Sequence, residues 1–186
     1  MKKIYVTSGV GRSGKDTFCE FIGKYIRTYK YSIIDLPKEA AKILGWDGGK
    51  TEKDRRFLSD IMDLSTEYND SPFRDVASIV SDFKNNLIED EILFIDMRDP
   101  KDIARAVEIF GAETILIRNP NADKIETNHA DANVEDYEYD YIIENDGTLA
   151  QLDSMAKYFV REIICWNEVK GSEKPVVLKC GYMEAK

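Results

Sequence analysis

Glycines, a lysine and several hydroxyls crowd into one short stretch near the start of this chain. Residues 4–17 read IYVTSGVGRSGKDT. The spacing Gly9-x-x-x-x-Gly14-Lys15 is that of a phosphate-binding loop. Phosphate is large, anionic and rich in acceptors. Glycines let backbone N–H groups converge on it without a side chain in the way. The helix that follows adds its orphan donors and the positive end of its dipole. Gly9, Gly11, Arg12, Ser13 and Gly14 are therefore candidates for phosphate contact, and Lys15 supplies a full charge to the outer phosphates. The residue after such a lysine is usually a Ser or Thr that ligates Mg²⁺. Here it is Asp16, and Thr17 comes one place late. Asp16 either holds Mg²⁺ through water, since that ion keeps several waters, or is a favourable acid in the first helical turn. Thr17 can still donate to an inner phosphate.

Further charged residues stand where such a loop would use them. Asp96 closes the apolar run ILFID. A carboxylate at the carboxyl end of a buried parallel strand suits Mg²⁺ or its waters; the alternative is that it merely ends the strand. Arg98 follows two residues on, and its fork suits a phosphate oxygen or an ion pair with Asp99 or Asp102. Lys15, Asp96 and Arg98 are the catalytic candidates. Asp16, Thr17 and Asp96 are the metal candidates, directly or through water. Arg55 shares a helix side with Leu58 and Met62, whereas Arg56 lines up with Asp60 and Asp63 as an exposed pair former. Arg55 is thus a candidate for an acceptor phosphate. Asp35 and Lys38, flanking Pro37, join it, as does Arg118, which faces either transferred phosphate or a loop ion pair. His129 is the one histidine, and without triad partners it supports no nucleophile reading.

These residues need elements to hold them. Apolar runs at 4–8, 32–36, 92–97, 114–119 and 139–145 read as strands. Helical patterns cover 14–29, 37–44, 51–68 with a Thr51–Asp54 capping box, a segment starting at Ser71-Pro72, Asp99-Pro100 to Gly111, and 148–166. Alternation of the two implies a parallel sheet with helices on its faces. The strands are apolar almost throughout, as burial on both faces requires. The expected architecture is α/β and three-layered, with about five parallel strands. Residues 1–166 form the domain, 37–90 a helical acceptor-binding region, and 167–186 a polar tail. In that tail PVVLK either adds an edge strand or belongs to a disordered end.

Composition narrows the partners. A chain of 186 residues suggests one core. The net charge of -9 and pI of about 4.8 argue against a general nucleic-acid binder, but not against a small phosphorylated ligand held in a local positive pocket. Cys19, Cys165 and Cys180 are far apart and form no Cys-x-x-Cys pair, so a reducing cytoplasm is the simplest setting. The N-terminal apolar stretch is broken by Thr7-Ser8-Gly9 and is too short for a signal peptide; no run is long enough to span a membrane. A monomer and a homodimer are both compatible with this pattern.

SGVGRSGKDT resembles the S-G-x-x-R-S-G-K-D-T loop of the deoxynucleoside monophosphate kinases of tailed bacteriophages and their bacterial relatives. The resemblance continues. RRFLSDIMDLS is similar to that family's substrate-side helix, which also begins with paired arginines. DMRDPKDIARAVEIFGAETILIR resembles its D-x-R strand end, helix and next strand, with the family's Asp and Arg at Asp96 and Arg98. YDYIIENDGTLAQL resembles its final strand and helix, a pattern shared with dephospho-coenzyme A kinases. The matches touch much of 1–155. Residues 36–90 match weakly outside the arginine pair and are fewer than in the phage enzymes. The resemblance implies a P-loop kinase fold and ATP-dependent phosphoryl transfer, with ATP and Mg²⁺, to a small phosphorylated acceptor such as a (deoxy)nucleoside monophosphate. It places a purine near ENDG at 144–147 and a family histidine in the loop of His129. Two alternatives stay open: a kinase for another acceptor such as dephospho-coenzyme A, and a nucleotide-binding module without transfer chemistry. The second is favoured by Asp16 and by the lack of an arginine-dense lid.

Overall fold

The strand that leads into the glycine loop, β1 (Lys2–Ser8), lies in the middle of the sheet. The structure, a computed structural model, describes residues 2–122, 133–165 and 175–179. The other strands are β2 (Arg27–Ser32), β3 (Glu91–Asp96), β4 (Glu113–Arg118), β5 (Tyr141–Glu144) and β6 (Val176–Lys179). All pair in parallel, in the order β2-β3-β1-β4-β5-β6. Among the described residues the sheet therefore has six strands, against about five expected, because VVLK in the tail pairs with β5.

Among the described residues six α-helices connect and cover the strands: α1 (Lys15–Ile22), α2 (Asp35–Ile43), α3 (Glu52–Asn69), α4 (Ser71–Asn85), α5 (Pro100–Phe110) and α6 (Leu149–Tyr158). One core layer joins the sheet to α1 and α6 through Tyr5, Phe94, Phe18, Ile22 and Phe159. The opposite layer joins it to α4 and α5 through Val6, Ile95, Val76 and Ile103. Burying each of these large side chains contributes about 1.5–3 kcal/mol. This is the three-layer α/β architecture of a P-loop protein. Among the described residues no helix is long and apolar enough to cross a membrane.

Several elements differ from the sequence expectation. The helix expected over 14–29 ends at Ile22, where Gly23 closes it. The second strand is Arg27–Ser32 rather than 32–36. It is an edge strand, and its charged sequence RTYKYS conceals the alternation that marks half-buried strands. The apolar run expected as that strand forms the turn into α2 and its first residues. The last helix does run on, but it widens to π-type bonding over Phe159–Cys165. His129 and most of the 167–186 tail lie outside the described residues.

The topology sets where a ligand goes. β1 has β3 on one side and β4 on the other, so the connections leaving these strands part above it. Such a switch point opens a crevice at the carboxyl ends of the strands. Register pairs Thr7 with Asp96 and Ser32 with Asp96, so the ends of β1, β2 and β3 are level. The three segments that follow them converge.

Candidate active site

Residues 9–14 wrap into a tight loop between β1 and α1. Gly9 has φ 151, Arg12 φ 64 and Gly14 φ 90. A Cβ on Gly9 would lie 2.5 Å from the Ile117 carbonyl oxygen and 2.7 Å from Ser13 Oγ. The glycine is thus required by close packing against β4, and Gly14 by its left-handed backbone. The Ser13 N–H donates to the Val10 carbonyl at 3.2 Å, closing the turn. Gly14 caps α1 without a side-chain acceptor, which leaves the first N–H groups of α1 for an anion.

Lys15 and Asp96 meet above the sheet. The Lys15 Nζ pairs with Asp96 Oδ1, with side-chain exposures of 7% and 17%. Ser13 Oγ and Asp96 Oδ1 are buried and take no aligned hydrogen bond from the described residues. Asp16, in the first turn of α1, is ion-paired with Lys30 of β2. No group of three or more His, Cys, Asp or Glu side chains placed to hold a metal occurs among the described residues. A cation held beside Asp96 would complete its shell with phosphate and water. That donor set fits Mg²⁺, which binds through one or two carboxylates plus phosphates, and Asp96, Asp16 and Thr17 are the residues available to it.

A cavity of ≈ 740 Å³ opens over this floor, within the range of about 300–1,000 Å³ for small-molecule sites. Gly11, Arg12, Ser13, Gly14, Lys15, Asp16 and Thr17 form one wall. Asp35 and Lys38 stand on the other, with Asp96 and Arg98 between. Asp35 fixes that second wall: its carboxylate accepts from the Ser32 N–H and from Lys38 Nζ, both at 2.9 Å. A smaller recess of ≈ 130 Å³ shares Asp96 and Arg98 and reaches Met62 of α3.

Two acceptor candidates lie elsewhere. Arg55 is half-buried near the start of α3 and lines neither cavity; the α3 residue that reaches the recess is Met62. Arg118 is held by Glu135 and by Glu144, the latter at 3.1 Å. Those bonds, Glu135 first, raise its pKa further and keep it charged. Gly9 supports the loop from beneath rather than lining the cavity.

Three site residues escaped the sequence reading. Lys50 lines the cavity from the α2–α3 loop. It directly precedes the Thr51 capping box, the one sequence signal that could have located it. Lys30 lines it from β2, where the misplaced strand boundary hid it. Burial first, and Lys15 second, lower its pKa. Asn145, in the ENDG segment, donates from Nδ2 to the Ser13 carbonyl at 2.8 Å, while its own N–H bonds the Arg118 carbonyl at 2.7 Å. It ties β4 to the phosphate loop. Beneath the loop, burial pushes the Cys19 thiol up to about 12, so Cys19 is a packing residue rather than a nucleophile.

No protein-family model and no curated protein matches the chain. Solved structures do. A sugar kinase from Janibacter sp., solved without ligand, superposes with a TM-score of 0.51 at 13% identity, over 86% of this chain and 95% of that one. A protein from Thermus thermophilus gives a TM-score of 0.43 at 16% identity, over 87% of this chain and 98% of its own. The first likeness establishes a shared fold.

Proposed function

We propose that the protein transfers the γ-phosphoryl group of ATP to a small phosphorylated acceptor, a (deoxy)nucleoside monophosphate. The carrying observation is the charge of the cavity. Arg12, Lys15, Lys30, Lys38, Lys50 and Arg98 face it against Asp16, Asp35 and Asp96, in a chain of net charge -9. The cations stand on both walls, which suits two phosphate-bearing ligands rather than one. The loop amides and Lys15 hold the ATP phosphates. Asp96, Asp16 and Thr17 would hold Mg²⁺, which would supply positive charge against the phosphates. Lys38 and Arg98 face the acceptor phosphate. Phosphoryl transfer asks little covalent chemistry of a protein and much positioning and charge, which this arrangement supplies.

A coupled assay of ADP release, run over a panel of nucleoside monophosphates with dephospho-coenzyme A included, tests the proposal. One acceptor should accelerate ATP turnover, and Lys15→Ala should abolish both the acceleration and most ATP affinity. No acceleration by any acceptor, with ATP affinity unchanged in Lys15→Ala, would defeat it. ATP binding that depends on Lys15 without any phosphorylated product would instead favour a nucleotide-binding module.

A further inference from the structure

Register pairs Lys30 with Phe94 and Ser32 with Asp96, so by strand alternation Lys30, Phe94 and Asp96 share one face of the sheet. That face is covered by α1, because Phe94 packs in the same cluster as Phe18 and Ile22. From β2 the long side chain of Lys30 rises to the first turn of α1 and pairs with Asp16. It lines the cavity from β2, the strand that leads into the wall of Asp35 and Lys38, while its ammonium reaches Asp16 on the wall of the glycine loop. Lys30 thus stands between the two halves of the cavity.

Its neighbours are more firmly engaged. Lys15 pairs with the largely buried Asp96, and Lys38 holds Asp35 at 2.9 Å within its own helix turn. Asp16 is 68% exposed, so its pair with Lys30 is screened by water and holds weakly. The Lys30 side chain is 39% exposed, less than that of Asp16, so its ammonium is less fully screened by water against a phosphoryl oxygen.

Resting on the phosphoryl-transfer reading, we propose that Lys30 is a catalytic residue, whose ammonium leaves Asp16 for the phosphoryl group in flight. An acceptor phosphate oxygen attacks the γ-phosphorus. The new P–O bond forms as the bond to the β,γ-bridging oxygen breaks, and its electron pair stays on ADP. Lys30 exchanges no proton. It supplies positive charge where negative charge spreads over the transferred oxygens. Asp16 gains a use beyond metal binding and the helix dipole: it is the resting partner of Lys30.

The test compares full-length wild type, Lys30→Met and Lys30→Arg in two measurements. The first is kcat and KM in the ADP-release assay with the most active monophosphate. The second is binding of Mg·ADP with and without aluminium fluoride, a mimic of the phosphoryl group in transit, in the presence of the same monophosphate panel. In Lys30→Met, kcat should fall about 100-fold, while the KM for ATP and the affinity for Mg·ADP stay within about 3-fold. The tightening by aluminium fluoride should be largely lost, and Lys30→Arg should recover part of both. The proposal is overturned if Lys30→Met matches wild type in kcat and in fluoride tightening. It is equally overturned if Mg·ADP affinity falls as far as kcat, since Lys30 would then serve binding alone. If no acceptor accelerates wild-type turnover, the kinase reading fails and the fluoride measurement judges Lys30 by itself. Tightening that requires Lys30 upholds its role; tightening absent in wild type, or indifferent to Lys30, ends it.

Discussion

The side-chain nitrogen of Asn145 bonds the Ser13 carbonyl at 2.8 Å and sits 2.3 Å from where a Cβ on Gly14 would be. One contact therefore links the end of β5 to the turn of the phosphate loop and fills the space that a side chain at Gly14 would need. Asn145→Ala should weaken Mg·ATP binding by about tenfold, equivalent to about 1.4 kcal/mol, as the loop loses a fixed carbonyl. Its stability should fall by roughly 1 kcal/mol, the net worth of one hydrogen bond. Gly14→Ala should cost more, roughly 1–3 kcal/mol, and Asn145→Ala beside it should relieve the clash while leaving the strain of φ 90. Isothermal titration with Mg·ATP and denaturant melts of the three variants check this.

The loop glycines are not equivalent. Gly9→Ala drives a methyl against the Ile117 carbonyl, backbone that cannot swing aside. A methyl on Gly11 would meet nothing within 4 Å. Gly9→Ala should lose about 2 kcal/mol or more, whereas Gly11→Ala should stay within about 0.5 kcal/mol of wild type. Equal melting behaviour of the two variants would contradict the packing.

Stability and activity should separate at Lys15. Lys15→Met leaves Asp96, 17% exposed, without its cation. Breaking a fully buried pair costs about 3–5 kcal/mol, and this partly wetted one should cost less. Adding Asp96→Asn removes the stranded charge, so the double variant should melt nearer to wild type than Lys15→Met does. It should still show no phosphoryl transfer.

Lys30 should reveal itself in the pH dependence of stability. Its folded pKa is lowered from 10.5, chiefly by burial. A lowered ammonium pKa means that the folded state binds that proton less well than the unfolded one. Holding Lys30 charged therefore opposes folding at neutral pH, and the penalty fades as pH rises through the folded pKa towards 10.5. Lys30→Met should melt at or above the temperature of wild type at pH 7, with the gap closing on approach to 10.5. A stabilisation that grows with pH over that interval would reverse the assignment.

The glycine-rich loop was legible as structure because its signal is local. Gly9, Gly14 and Lys15 lie within one turn, between an apolar run and an amphipathic one, and that spacing already dictates strand, loop and helix. The Thr51–Asp54 capping box and the Pro100 helix start were legible for the same reason. The second strand was not. Tyr25 and Ile26 extend the apolar stripe of α1 past Gly23, while β2 is charged because it lies at the sheet edge. Its partner β3 lies about sixty residues on, and no local pattern carries that pairing.

By itself, the sequence determined a strand, glycine-rich loop and helix in succession, the α/β class and the strand-end position of Asp96, since each follows from composition and spacing over a few residues. Tertiary structure decided which cations share the crevice. It brought in Lys30, Lys50 and Asn145, and it committed Arg118 to Glu135 and Glu144. Strand order and register set those distances, and both depend on which apolar faces bury against one another across the whole chain.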